Sequence, residues 1–179
     1  MARKYDVVIV GGGPAGVFAA LELAQVPNLD ILLIEKGRDI EGRSCPVRDS
    51  SSPCISCLPC HLVCGLGGAG AFSDGKLTLS AQVGGRLVDY LGKDNTEALI
   101  KYVDDIYLKF GAPHKLYGVG DDVEGLRRQA SLTELHLIPV PIRHLGTENC
   151  RSVLRAMQEH LVSRVDVLLG EMVSTIVVE

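Results

Sequence analysis

The chain has 179 residues, 46% of them hydrophobic and 22% charged, with a formal net charge of −4. That length supports one domain with its own core, and the composition is that of a globular protein rather than a disordered one. The small negative charge, the lack of Trp and the absence of any basic run interleaved with aromatics give no reason to expect nucleic acid or an anionic membrane as a partner.

Tyr5 to Val10 reads as a strand, because Val7, Val8, Ile9 and Val10 form the continuous apolar run of a parallel strand buried on both faces. Gly11 to Gly13 break it, and Pro14 suits the first turn of a helix, where its missing N–H costs nothing. That helix runs to about Gln25 and stops before Pro27. The glycines and Pro14 argue against reading Val7 to Ala24 as a membrane span or a signal peptide, so the expected address is the cytoplasm. Asp30 to Glu35 is a second buried strand, and the three elements make one βαβ unit.

From Lys36 to about Asp94 periodicity fades into a stretch rich in Gly, Ser, Pro and Cys, which reads as a long functional excursion. Thr96 to Phe110 is a helix with Leu99, Val103, Ile106 and Phe110 on one face and with Lys101, Asp104, Asp105 and Lys109 as a solvated face. Asp121 or Asp122 caps a short helix through Arg128, and Leu135 to Pro141 is a short strand. Thr147 caps a helix from Glu148 to about Ser163 with Val153, Leu154, Met157 and Leu161 inward. Val165 to Leu169 is a third parallel strand, and Met172 to Val178 a further one. The fold class is therefore α/β: a Rossmann-like βαβ fold with a parallel sheet, expected to be incomplete at its C-terminus. The chain is read as one partial domain, with an ADP-binding unit at 1–36, a Cys/Gly-rich excursion at 37–94 and further helices and strands at 95–179.

The sequence Gly11-Gly12-Gly13-Pro14-Ala15-Gly16 matches G-x-G-x-x-G. Gly11 allows the tight turn, Gly13 lets the backbone approach a pyrophosphate, and Gly16 lets the helix pack closely. The helix start, with Pro14 and Ala15, offers free N–H groups and partial positive charge to phosphates. Glu35 ends the second strand nineteen positions after Gly16, where a carboxylate accepts hydrogen bonds from both ribose hydroxyls of an adenosine and repels a 2′-phosphate. Lys36 follows it at the same site. A fingerprint at the N-terminus is the usual place for FAD, although the pattern alone leaves NAD open.

A second glycine cluster, Gly65 to Gly75, has five glycines in eleven residues and cannot be a stable helix or strand. Gly67, Gly68 and Gly70 expose backbone N–H groups suited to a flat ring or a phosphate, and Asp74 and Lys76 bring charge. Just before it, Cys54, Cys57, Cys60 and Cys64 have C-x2-C-x2-C-x3-C spacing. That run admits an iron–sulfur cluster, or zinc held by four cysteines or by three with His61, or unligated and redox-active thiols.

In their order, YDVVIVGGGPAGVFAALELA, LLIEKGRDIEGR, CGLGGAGAFSDGKLTLS, LKFGAP and RHLGT resemble a family of FAD-dependent dehydrogenases of bacteria and archaea. These are similar to geranylgeranyl reductases and to the wider glutathione-reductase-like flavoproteins. The resemblance implies FAD, implies that GGAGAFSDGK lies by the flavin, and implies that Glu171-Met172-Val173 lines the adenine pocket through its backbone. The resemblance alone would let Arg143 and His144 approach the flavin or its phosphates; by themselves His114, His136, His144 and His160 read as surface or satisfied histidines. Such families complete the FAD site with a Gly-Asp pair in a later segment, which does not occur before the chain stops. The expected function is an FAD-dependent oxidoreductase acting on a small-molecule substrate or a redox partner protein. The alternatives are a flavin/iron–sulfur electron-transfer module or a non-catalytic dinucleotide-binding module. No catalytic residue is identifiable.

Overall fold

The structure, a computed structural model, describes residues 3–178. They divide into two compact units: the residues up to Ser73 together with those from Cys150 onward, and Asp74–Asn149.

The first unit is built on a parallel sheet of β1 (Val7–Val10), β2 (Ile31–Glu35) and β6 (Asp166–Leu169), in the order β1-β2-β6. Val7 pairs with Ile31 and Val10 with Ile34; on the other side Leu32 pairs with Asp166 and Glu35 with Leu169. β2 is the middle strand, and Ile31, Leu33 and Glu35 on one of its faces are all buried. α1 (Pro14–Leu23) buries Val17, Ala20 and Leu21, the i, i+3, i+4 set of one helix face. α5 (Thr147–Val162) buries Cys150, Val153, Met157 and Leu161, a stripe at helical spacing. These side chains, with Leu33 and Ile40, form the core. A Rossmann-like α/β fold with a parallel sheet is thus what the strand and helix patterns produce.

Two expected strands do not form. Residues 172–178 leave the sheet: the N–H of Gly170 donates to Gly37 O and that of Glu171 to Glu35 O, and beyond them Ile176, Val177 and Val178 are exposed and carry no ladder. Residues 135–141 form no strand either, because Pro139 and Pro141 lack the N–H that a ladder needs. The pairing strand begins one residue later, as β5 (Ile142–His144).

β5 is the centre of a second sheet, in the other unit, which the sequence did not foretell. It pairs antiparallel with β3 (Lys76–Thr78) on one side and β4 (Leu116–Tyr117) on the other. Strands of three and two residues show no readable alternation. This unit also holds α2 (Leu87–Leu91), α3 (Lys93–Lys109) and α4 (Asp121–Ser131). α4 starts at Asp121, but its cap position is Gly120 and no side chain bonds its first amides. On α3 the expected inward stripe is wrong in part. Leu99 is exposed, and the buried residues are Thr96 and Asp104. Asp104, expected on the solvated face, is instead on the buried side of α3. It is buried because it meets Arg143 of β5 in a two-pronged ion pair, Nε to Oδ1 at 2.5 Å and Nη2 to Oδ2 at 2.7 Å.

Candidate functional site

The first site feature is the turn between β1 and α1. Gly11 has φ of +101°, which only glycine adopts without strain, and its N–H donates to Ile34 O at 2.8 Å. A Cβ on Gly16 would lie 1.9 Å from Gly11 O, so the helix sits directly on the turn and only glycine fits there. A Cβ on Gly13 would meet nothing within 4 Å. Gly13 occupies the cap position of α1, no side chain caps that helix, and its first turn carries no acidic residue. The amide end of α1, with Pro14 and Ala15 exposed, is an open anion-binding corner. The residues present fit the diphosphate of a dinucleotide.

Glu35 lies beside this corner, but its carboxylate is occupied differently from the expectation. Oε2 accepts the N–H of Gly12 at 2.7 Å, and Oε1 accepts those of Gly37 at 2.8 Å and Gly65 at 2.9 Å. Three of about four acceptor directions are used, and the residue is 6% exposed. One acceptor direction remains, on Oε2 beside Gly12.

The second glycine cluster lies against the first. Gly67 N–H donates to Gly12 O at 2.7 Å, and a Cβ on Gly68 would be 3.2 Å from Pro14 Cδ and 3.3 Å from Gly13 Cα. Gly67 and Gly68 both have positive φ, and the turn Gly68–Phe72 is a short 3-10 helix. Gly70 faces open space. The structure therefore joins Gly11 to Gly16, Glu35 and Gly67 to Gly70 into one place. Asp74 belongs to the other unit, where it pairs with Lys76 at 2.7 Å, and this hydrogen bond lowers its carboxyl from the usual range.

Sequence reasoning missed Arg43, which holds this arrangement. It is 2% exposed. Its Nη1 donates to Leu66 O at 2.8 Å, Nη2 to Leu62 O at 2.5 Å and Nε to His61 O at 3.2 Å. Its guanidinium stands 4.9 Å from the centre of the Phe72 ring. Burial lowers its affinity for the proton, and Glu35, Cys64 and Cys60 work in the opposite direction. An arginine eight positions after a strand-ending glutamate was the available signal, within LLIEKGRDIEGR.

Beyond Glu35 a cavity of about 270 Å³ opens, lined by Lys36, Gly37, Arg38, Arg43, Cys60 and Gly170 among others. Gly37 and Gly170 both lie at this cavity, and Val173, beyond the end of β6, is not among its lining residues.

The cysteine run is not gathered. Cys54 is exposed, Cys57, Cys60 and Cys64 are half-buried, and all are free thiols. Among the described residues no three His, Cys, Asp or Glu side chains come together to hold a metal ion. The segment folds instead around the Arg43 guanidinium, which draws in its carbonyls, and His61 turns Nδ1 to Ser44 O at 3.0 Å. Cys60 stands out among the thiols. The backbone N–H groups of Val63 and then Leu62 bond its sulfur and lower its pKa, with help from Arg43. Arg143, expected at flavin or phosphate, is 4% exposed and spent on Asp104 and on Pro113 O at 2.6 Å.

A glycine turn of this geometry on a parallel sheet defines a dinucleotide-binding α/β protein. Residues 5–52 match the pyridine nucleotide-disulphide oxidoreductase family, and the chain resembles FAD-dependent oxidoreductases. Over 113 residues, 63% of the chain, it is 41% identical to an uncharacterised protein of Clostridium beijerinckii, of which it covers 18%. Over 100 residues, 51% of the chain, it is 38% identical to the digeranylgeranylglycerophospholipid reductase of Methanosarcina mazei, of which it covers 24%. Over 45 residues, 22% of the chain, it is 42% identical to a probable electron transfer flavoprotein-ubiquinone oxidoreductase of Acinetobacter baylyi, of which it covers 8%. The chain thus spans less than a quarter of each of these relatives. No helix among the described residues is long and apolar enough to cross a membrane.

Proposed function

We propose that the protein is an FAD-dependent oxidoreductase, and that these residues bind the ADP half of the flavin. The observation that carries the reading is the uncapped start of α1 above an open Gly13, with Glu35 beside it. The amides at the head of α1 hold the diphosphate. The free acceptor direction of Glu35 Oε2 takes one ribose hydroxyl, and the cavity at Lys36 and Gly170 takes the base. Gly67 to Gly70 extend the backbone surface toward the flavin side. Bound FAD supplies the hydride chemistry; the protein supplies binding and orientation. The reaction partner is a small-molecule substrate or a redox partner protein, in the cytoplasm. The redox names of the Methanosarcina and Acinetobacter relatives agree with this class of reaction.

Gly13→Asp tests the reading. Gly13 has φ of −71° and ψ of −177°, open to any residue, and a side chain there meets nothing. Aspartate is a good helix cap, so stability holds or rises by a few tenths of a kcal/mol. Its carboxylate sits where the diphosphate belongs, so FAD affinity falls about a hundredfold. Titration of flavin fluorescence beside a urea denaturation curve reads both. Unchanged FAD affinity in a stable Gly13→Asp protein rejects the assignment, and wild-type protein that takes up NAD but no flavin rejects the cofactor.

A further inference from the structure

The hydrogen bonds that Arg43 donates are all spent on backbone, on carbonyls of the segment 61–66. The same segment is fastened from the other side by Glu35, through Gly65 N–H. Between the two fasteners the backbones come unusually close. A Cβ on Gly37 would lie 2.2 Å from Gly65 N, and one on Gly65 would lie 2.6 Å from both Arg38 O and Arg43 Cδ. One residue further, Leu66 Cδ1 would be 3.0 Å from a Cβ on Gly12, and Gly67 N–H reaches Gly12 O. Gly67 in turn leaves no room against Leu154, whose Cδ1 would be 2.6 Å from a Cβ there. These bonds and close approaches together hold residues 65–67 in place, with Leu66 and Gly67 against Gly12 of the fingerprint turn.

We infer that Arg43 and the Glu35 carboxylate form a clasp that docks residues 65–68 onto the Gly11–Gly16 turn, so that Arg43 sets cofactor affinity as a positioning residue, through the backbone it holds. The second glycine cluster offers its amides to the cofactor only while it is docked. Undocked, its glycines regain their conformational freedom, and binding must order them again. Arginine is required because its planar fork reaches three carbonyls at once, which a lysine ammonium cannot do in one geometry. The effect on affinity rests on the proposed function; the docking itself does not.

The test is hydrogen exchange and FAD titration on the full chain carrying Arg43→Lys, Arg43→Met or Gly37→Ala. In each variant the amides of Gly65 and Gly67 are expected to exchange at least about tenfold faster, the loss of charge-assisted bonds being of that size. The amides of Ile9 and Leu33 in β1 and β2 keep their wild-type protection and report that the unit is folded. FAD affinity falls about tenfold or more in Arg43→Met and less in Arg43→Lys. Arg43→Lys, the mildest change, serves where Arg43→Met fails to fold. Retained protection at Gly65 and Gly67 overturns the clasp. Lost protection with unchanged FAD affinity overturns its link to the cofactor. Wild-type protein that binds no FAD rejects the proposed function, while the exchange result still judges the docking.

Discussion

Replacing Glu35 by Gln changes one oxygen to an amide nitrogen and keeps the side-chain shape. The carboxylate accepts three backbone N–H groups in a site that is 6% exposed. A carboxamide has one carbonyl oxygen, and its best orientation places that oxygen at Oε1, where it keeps Gly37 and Gly65. The NH2 then faces the Gly12 N–H that Oε2 accepted at 2.7 Å. Two bonds lose their charge assistance, and one buried N–H loses its acceptor at roughly 1–3 kcal/mol. The neutral side chain recovers part of this through easier burial, leaving a net loss of about 3 kcal/mol. In a chain of this size that lowers Tm by about 6–12 °C. Urea denaturation with an unchanged m value measures it. A loss below about 1 kcal/mol shows that the three bonds do not carry the stability assigned to them here.

Two further predictions concern other groups. Asp104→Ala strands a buried guanidinium and costs about 3 kcal/mol in urea denaturation, whereas Asp104→Leu with Arg143→Met recovers most of it; a double variant no better than the single one refutes the pairing. Cys60 reacts first with iodoacetamide, about threefold or more ahead of Cys54 at neutral pH, as read by peptide mass spectrometry. Its pKa is lowered, so its thiolate persists to lower pH and the preference widens as pH falls from 9 to 6.5. Equal labelling of the two at pH 6.5 contradicts that.

Arg143 illustrates how a residue's job depends on what folds beside it. Only the family resemblance pointed it to flavin or phosphate, and nothing local betrays Asp104, thirty-nine positions away, as its partner. The cysteine run is similar. Its spacing admits a metal, but Arg43 supplies a competing centre for the same carbonyl-rich loop, and the thiols stay apart.

What the sequence by itself determined is local and strongly patterned: β1, β2 and β6 as parallel strands, α1 as a helix, and the fingerprint turn with its three glycines. These rest on contiguous apolar runs and on backbone conformations that only glycine permits, and both are legible residue by residue. The burial expected on both faces of β1 does not hold, since it is an edge strand with Val8 and Val10 exposed. Tertiary structure alone decided where the polar groups of Glu35, Arg43, Asp104 and Arg143 are satisfied, and that residues 172–178 leave the sheet. A buried charge must find partners wherever the folded chain brings them, and no spacing rule in one dimension carries that information.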